Sequence, residues 1–284
     1  MKVPKRLQPL VEDGMIDEVI SQLMSGKEAQ VFVVRANDHV QCAKVFKEAK
    51  QRSFKQAVEY QEGRKVRNTR RARAMSKKTQ YGQKEQENAW LNAEVDALYQ
   101  LAAAGVRVPK PYGFIDGVLL MELITDAEGY VAPRLDDVTL SREDALRWHE
   151  QIIKEIVRML CAGLVHGDLS EFNVLLNEEG PVIIDLPQAV NAAGNNNAER
   201  MLARDVNNMR AYFGQFAPEL LTTQYAKEMW DLYESGKLTP ESQLTGQFAE
   251  REDLADVDEL MSVIEAATTE EQERLERLRA ANED

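Results

Sequence analysis

The segment from Leu164 to Asp185 constrains the fold more than any other. It runs Leu164-Val165-His166-Gly167-Asp168-Leu169-Ser170-Glu171-Phe172-Asn173 and continues into the apolar stretch Val174-Leu175-Leu176. The four residues Asn177-Glu178-Glu179-Gly180 have turn chemistry, and Pro181-Val182-Ile183-Ile184-Asp185 follows. Two short apolar runs joined by such a turn predict a β-hairpin. A hairpin returns its two ends to one edge, so Asn173 and Asp185 are predicted to meet there.

An amide oxygen and a carboxylate at one edge are hard ligands, suited to Mg²⁺ carrying bound phosphates. Asp168, five residues before Asn173, is then placed to take a proton from an attacking hydroxyl. The trio fits the template for phosphoryl transfer, with one catalytic Asp, a metal Asn and a metal Asp. Singly, Asp168 or Asn173 is explained by a turn cap and Asp185 by a strand end. Turn and strand preferences do not account for the three together at this spacing.

Phosphate also needs a cation. Val31-Phe32-Val33-Val34 and the run Val40 to Phe46 read as two strands around the turn Ala36-Asn37-Asp38-His39. Lys44 stands mid-strand among Cys42, Ala43, Val45 and Phe46, where it needs a partner or must snorkel to water. A helix is predicted from Glu85 to Ala104, stopped by Gly105, with Trp90, Ala97, Leu98 and Leu101 inward. Glu94, four residues before Leu98 and seven before Leu101, shares that face and is the matching carboxylate. A strand lysine paired with a helix glutamate is the device that holds the α- and β-phosphates in kinases.

Ahead of these strands stands Met24-Ser25-Gly26-Lys27-Glu28-Ala29-Gln30-Val31-Phe32. Ser25 and Gly26 favour a tight polar turn whose N–H groups face phosphate oxygens. It is no Walker motif, because the earlier glycine and the Ser/Thr after the lysine are missing. Further on, Val106 to Pro111 reads as a linker and Val118 to Ile124 as a buried strand. A Ser141-capped helix carries Trp148, Ile152, Ile156 and Leu160 and ends at Gly163, a stripe that marks core and nothing more. Arg204 to Phe213 and Glu219 to Glu234, the latter opened by Pro218, are predicted helices.

The 284 residues suffice for one large domain or two lobes around a cleft, and 44% hydrophobic content can build a core. No apolar run is long enough to span a membrane and no signal peptide is visible. Cys42 and Cys161 read as buried thiols, so a cytoplasmic protein with no membrane partner is expected. The net charge of −13 argues against generic nucleic-acid binding, yet it is uneven. Lys44 to Lys84 is basic and Glu234 to Asp284 acidic. Each block reads first as a solvated segment, and second as a phosphate- or RNA-facing loop and a partner-binding or autoinhibitory tail.

These motifs together resemble one family, the RIO kinases, atypical members of the protein-kinase-like superfamily. The family's S-T-G-K-E-A-x-V-Y is similar to Met24 through Phe32, its H-G-D-L-S-E-Y-N to His166 through Asn173 with Phe172 for tyrosine, and its I-I-D-x-x-Q-A-V to Ile183 through Val190. A looser match, R-D-x-x-N-x-x-x-F, covers Arg204 to Phe213. The resemblance implies an α+β, two-lobed protein-kinase-like fold with an abbreviated C-terminal lobe, like the shorter subfamily without a winged helix. Its parts are an N-lobe at 1–120, a C-lobe at 121–235 and an acidic helical tail at 236–284. It implies ATP with Mg²⁺, or Mn²⁺ in its place, as cofactors. Lys44 is then on phosphate with Glu94 as its partner, Asp168 is the base, and Asn173 and Asp185 hold metal. Met121 becomes the gatekeeper, Glu122 and Ile124 the hinge contacts to adenine, and Ser25, Gly26 and Lys27 the phosphate loop. The basic stretch from Arg64 to Lys84 looks like the family's flexible loop.

Departures are Pro187 for the usual serine, Asn196-Asn197 where His-Pro is frequent, and Gly167 where ordinary kinases carry arginine. Without that arginine, a phosphorylated activation loop has no basic group to hold it. Ala217-Pro218-Glu219 spells the close of an ordinary activation segment but is read as coincidence. The leading expectation is a serine/threonine protein kinase acting on an unidentified protein and on itself. The alternatives are an ATPase switch with an aspartyl-phosphate at Asp185 in ribosome assembly, a small-molecule kinase of the antibiotic or choline type, and a non-catalytic scaffold.

Overall fold

The structure is a computed structural model that describes residues 3–26, 28–47 and 93–248. The expected basic loop at 64–84, Lys27, Trp90 and most of the acidic tail lie outside the described residues. All described residues but Phe248 belong to one compact unit.

A short helix α1 (Gln8–Glu12) leads into strand β1 (Glu18–Ser25), then β2 (Ala29–Ala36) and β3 (His39–Phe46). The β2–β3 turn places Asn37 and Asp38 at φ 51° and 61°, the left-handed conformation that two-residue hairpin turns demand and that Asn and Asp tolerate. Helix α2 is described over 93–103, and Gly105 follows it at φ 74°. Strands β4 (Pro111–Ile115) and β5 (Val118–Glu122) complete an antiparallel sheet of order β1-β2-β3-β5-β4. Sequence patterning alone misses α1, β1 and β4, and it runs β5 two residues too far, into Leu123 and Ile124.

The two-residue period of β3 divides the sheet's faces. Ala43 and Val45 pack with Phe32, Val34, Val118 and Leu120 against Leu7 and Leu10 of the α1 region. Phe46 points the other way, into the cluster with Val95, Leu98 and Leu101 of α2. Lys44, two residues from Phe46, therefore faces α2. The register fixes this, with Lys44 opposite Val31 on β2 and Leu119 on β5.

Helix α3 (Arg142–Cys161) begins at Ser141, whose Oγ accepts the Asp144 N–H at 3.0 Å. Trp148, Ile152, Ile156 and Leu160 are buried along it, as the spacing predicts. Two ribbons follow, β6 (Leu164–Val165) with β9 (Val190–Asn191) and the expected hairpin β7 (Val174–Asn177) with β8 (Gly180–Ile183). Gly180 closes the hairpin turn at φ 128°, a backbone conformation that strains any residue with a Cβ and that glycine adopts freely. Helices α4 (Ala198–Phe213) and α5 (Tyr225–Glu234) finish the described chain. The single helix expected from Glu219 to Glu234 is in fact two pieces, a 3₁₀ turn Pro218–Thr222 and then α5. The break falls where Arg210 donates to the Thr223 carbonyl at 2.9 Å, taking up an oxygen that a continuous helix would use. An antiparallel sheet half and a largely helical half share one apolar cluster, which is the α+β two-lobed architecture expected.

Candidate active site

Lys44 sits at the junction of the halves. Its Nζ lies 2.5 Å from Glu94 Oε1 on α2 and 2.9 Å from Asp185 Oδ1 after β8. Burial works against the ammonium, but the two carboxylates outweigh it and raise the Lys44 pKa, so the side chain stays charged. Glu94 is 5% exposed, and burial raises its pKa while Lys44 opposes. Asp185 answers chiefly to Lys44, which holds its carboxyl below the usual range, and its side chain remains half exposed.

The hairpin gathers the other candidates. Val174 pairs with Ile183, and the Ile184 N–H donates to the Asn173 carbonyl at 3.0 Å, so Asn173 and the residue before Asp185 are bound together. Asp185 itself adopts φ 66°, which turns the chain out of β8 and aims the carboxylate at Lys44. Asn173 Nδ2 donates to the Asp168 carbonyl at 2.8 Å. That leaves the Asn173 amide oxygen without a hydrogen-bond partner among the described residues. Asp168 is exposed, and its pKa is raised by partial burial and by Asp185, with Arg204 opposing.

Ser25 ends β1, and the Gly26 N–H donates to the Ala29 carbonyl at 2.9 Å, the tight turn that was expected. Lys47, which the sequence did not single out, donates to the Gly26 carbonyl at 2.6 Å and fastens that turn to the end of β3. Met121 lies on β5 opposite Cys42. At and after the end of β5, where the hinge is expected, the Glu122 N–H is taken by the Lys110 carbonyl at 2.8 Å and the Ile124 carbonyl by the Ala132 N–H at 3.0 Å. The Ile124 N–H makes no hydrogen bond among the described residues. Cys42 is buried, which pushes its thiol up to about 12, whereas Cys161 is only partly buried.

Residues without a sequence-assigned role hold the loop around Asp168. Asp205 of α4, 1% exposed, accepts the Gly167 N–H at 2.7 Å and the Leu169 N–H at 2.9 Å. Asn208 donates to the Leu169 carbonyl at 2.9 Å, and Arg204 donates to the Gly167 carbonyl. His166 bonds the Ile184 carbonyl at 3.1 Å, linking the loop to the end of β8. A signal for Asp205 exists in the sequence: it stands four residues from both Met201 and Met209, on the buried stripe of its helix. Gly167 reaches Asp205 because its φ of 81° turns the N–H inward, so glycine in place of arginine here serves the backbone.

A model of the RIO domain family matches residues 30–226. The chain is 35% identical over 205 residues to the RIO-type serine/threonine-protein kinase Rio1 of Haloferax volcanii, covering 72% of this chain and 66% of that one. It is 28% identical to the human serine/threonine-protein kinase RIO1, covering 81% of this chain and 38% of the human one. The chain thus spans about two thirds of the first relative's length and well under half of the second's. Among solved structures, the Rio2 kinase–ADP/Mg²⁺–phosphoaspartate complex from Chaetomium thermophilum superposes with a TM-score of 0.56 at 22% identity, covering 94% of this chain and 75% of that one. That likeness establishes the fold.

Proposed function

The chain belongs to the RIO domain family, and from that premise we propose that it is an ATP-dependent serine/threonine protein kinase, itself among its substrates. The observation that carries this reading is the placement of Lys44 between Glu94 and Asp185, beside the hairpin that presents Asn173 and Asp168. Such an arrangement has no structural economy of its own. It holds a buried cation and exposes two carboxylates at one edge, and phosphate with a divalent ion supplies what it lacks.

The residues fit Mg²⁺. The unpartnered Asn173 amide oxygen and the ionised Asp185 carboxylate are hard donors, and no cluster of three His, Cys, Asp or Glu stands among the described residues to form an all-protein cage. Two protein oxygens with phosphate completing the set is the usual Mg²⁺ arrangement; the ion, Mn²⁺ serving in its stead, neutralises phosphate charge when bound. Lys44 holds phosphate oxygens while Glu94 keeps it aimed. The Ile124 N–H and the Glu122 backbone hold adenine, with Met121 behind it, and Ser25, Gly26 and Lys27 line the phosphates. Asp168 orients the attacking hydroxyl and takes its proton as the new O–P bond forms and ADP departs, a role its raised pKa favours. The lobe boundary near residue 120 follows from placing the hinge at Glu122 to Ile124. A basic segment at 64–84 contacting RNA or a ribosomal particle, in the cytoplasm, belongs to the same reading.

Incubation of the pure protein with γ-labelled ATP and Mg²⁺ tests it. Asp168→Asn should lower transfer at least ~100-fold and leave nucleotide affinity intact. Full transfer by that variant would remove the base assignment. A second reading, an ATPase switch passing through an aspartyl-phosphate at Asp185, is favoured by one observation: this carboxylate is half exposed and kept ionised by Lys44. Label released by hydroxylamine supports it, and hydroxylamine-stable label supports Ser or Thr.

A further inference from the structure

Arg134 sits in the segment that leads from the hinge to α3, and its position is built. The Leu176 N–H donates to the neighbouring Pro133 carbonyl at 2.9 Å, and Arg134 itself bridges to Leu175 of β7. On its other side Leu135 is fully buried, and its carbonyl accepts the Tyr212 hydroxyl. From this pinned backbone the side chain crosses to the other half of the molecule, where Nη2 lies 3.2 Å from Met24 Sδ, two residues before Gly26. A thioether is a weak acceptor, and Arg134 has no ion pair among the described residues. Its charge nevertheless acts on Asp185, which it helps to keep ionised. The guanidinium thus reaches the strand that leads into the phosphate turn, and its charge is felt at the carboxylate assigned to metal.

We propose, on the nucleotide reading above, that Arg134 is a further nucleotide-binding residue, its guanidinium gripping phosphate oxygens from the lower side of the cleft opposite Lys44. The charge balance favours it. Glu94 and Asp185 both already lie on the ammonium of Lys44, and a polyphosphate adds more negative charge than that one cation meets. The planar fork of a guanidinium matches two phosphate oxygens, far better partners than the sulfur it now touches. The bland alternative is an arginine whose stem covers Met24 and whose charge serves only solubility.

Affinities for ATP, ADP and adenosine, measured by calorimetry with Mg²⁺ present, separate the two. Arg134→Met should weaken ATP and ADP about tenfold, the loss of one charge-assisted contact, with adenosine unchanged. Arg134→Gln, which keeps polarity and much of the length, should show the same selective loss and decides the matter if the Met variant fails to fold. An unchanged ATP-to-adenosine affinity ratio in these variants overturns the assignment and leaves the nucleotide site standing. Failure of the unaltered protein to bind any of the three would overturn the nucleotide reading, and the Arg134 assignment with it.

Discussion

Glu94 and Asp205 are both carboxylates on the buried stripe of a helix, yet the two halves of the molecule hold them in opposite ways. Glu94 is met by a cation from another element, Lys44. Asp205 is met by the N–H groups of Gly167 and Leu169, with Arg204 acting on it from its own helix. The upper pair depends on two side chains that each need the other. The lower arrangement depends on backbone, so it fixes the shape of a loop and leaves the Asp168 side chain exposed. One half positions charge and the other positions chain.

Breaking the upper pair should have the largest effect. Lys44→Met leaves Glu94 buried alone and should cost about 3–5 kcal/mol near pH 8 by urea denaturation. With Lys44 gone, burial raises the Glu94 pKa further. A group whose folded pKa is raised gives stability that is full below its unfolded value, here 4.5, and is lost as pH rises. The deficit should therefore shrink toward pH 5. Adding Glu94→Gln removes the stranded charge and should recover most of the loss, a coupling that a double-mutant cycle reads directly.

Asp205→Ala comes next, at about 3 kcal/mol, because two buried N–H groups lose their acceptor. Phosphate transfer should fall with it while nucleotide affinity changes little, in contrast to Lys44→Met, which should weaken both. Equal loss of affinity in the two variants would erase the distinction between halves.

A smaller effect is hidden by cancellation. Burial raises the Asp205 pKa to about 7, so its contribution is full below 3.8 and lost as pH climbs to 7. His149 of α3, packed against Phe213 and Tyr225 with ring centroids 5.6 Å away, is lowered to about 4 by burial. Its contribution is present above 6.5 and lost as pH falls toward 4. The slopes oppose each other. His149→Phe should expose a stability that declines between pH 4 and 7, and Asp205→Asn one that rises, each by roughly 2–3 kcal/mol in denaturation midpoints converted to free energy.

The lower half was the more legible in sequence. The hairpin with its turn, the Ser141 cap and the α3 stripe each rest on local patterns that structure and sequence share. The Lys44–Glu94 pair was found because a misplaced charge on an apolar face advertises its need for a partner. The same rule applied to Arg204 through Phe213 would have flagged Asp205, yet no local pattern says that its partners are backbone N–H groups of a distant loop. β1 and β4 went unseen because they lack clean alternation. β1 carries two register irregularities and an exposed apolar set that includes Ile20 and Leu23, and β4 opens on a proline. The second contact of Lys44, to Asp185, is set by how the halves meet, which no window of sequence contains.

That contact ties positions 141 residues apart along the chain. Closing so long a loop comes after local hairpins and helices have formed, since its entropy must be met before any reward arrives. A growing polypeptide on the ribosome would thus own a finished upper sheet, up to β5, well before it owned a charged cleft. The junction of the halves would form late and all at once, when Asp185 emerges and finds Lys44 waiting.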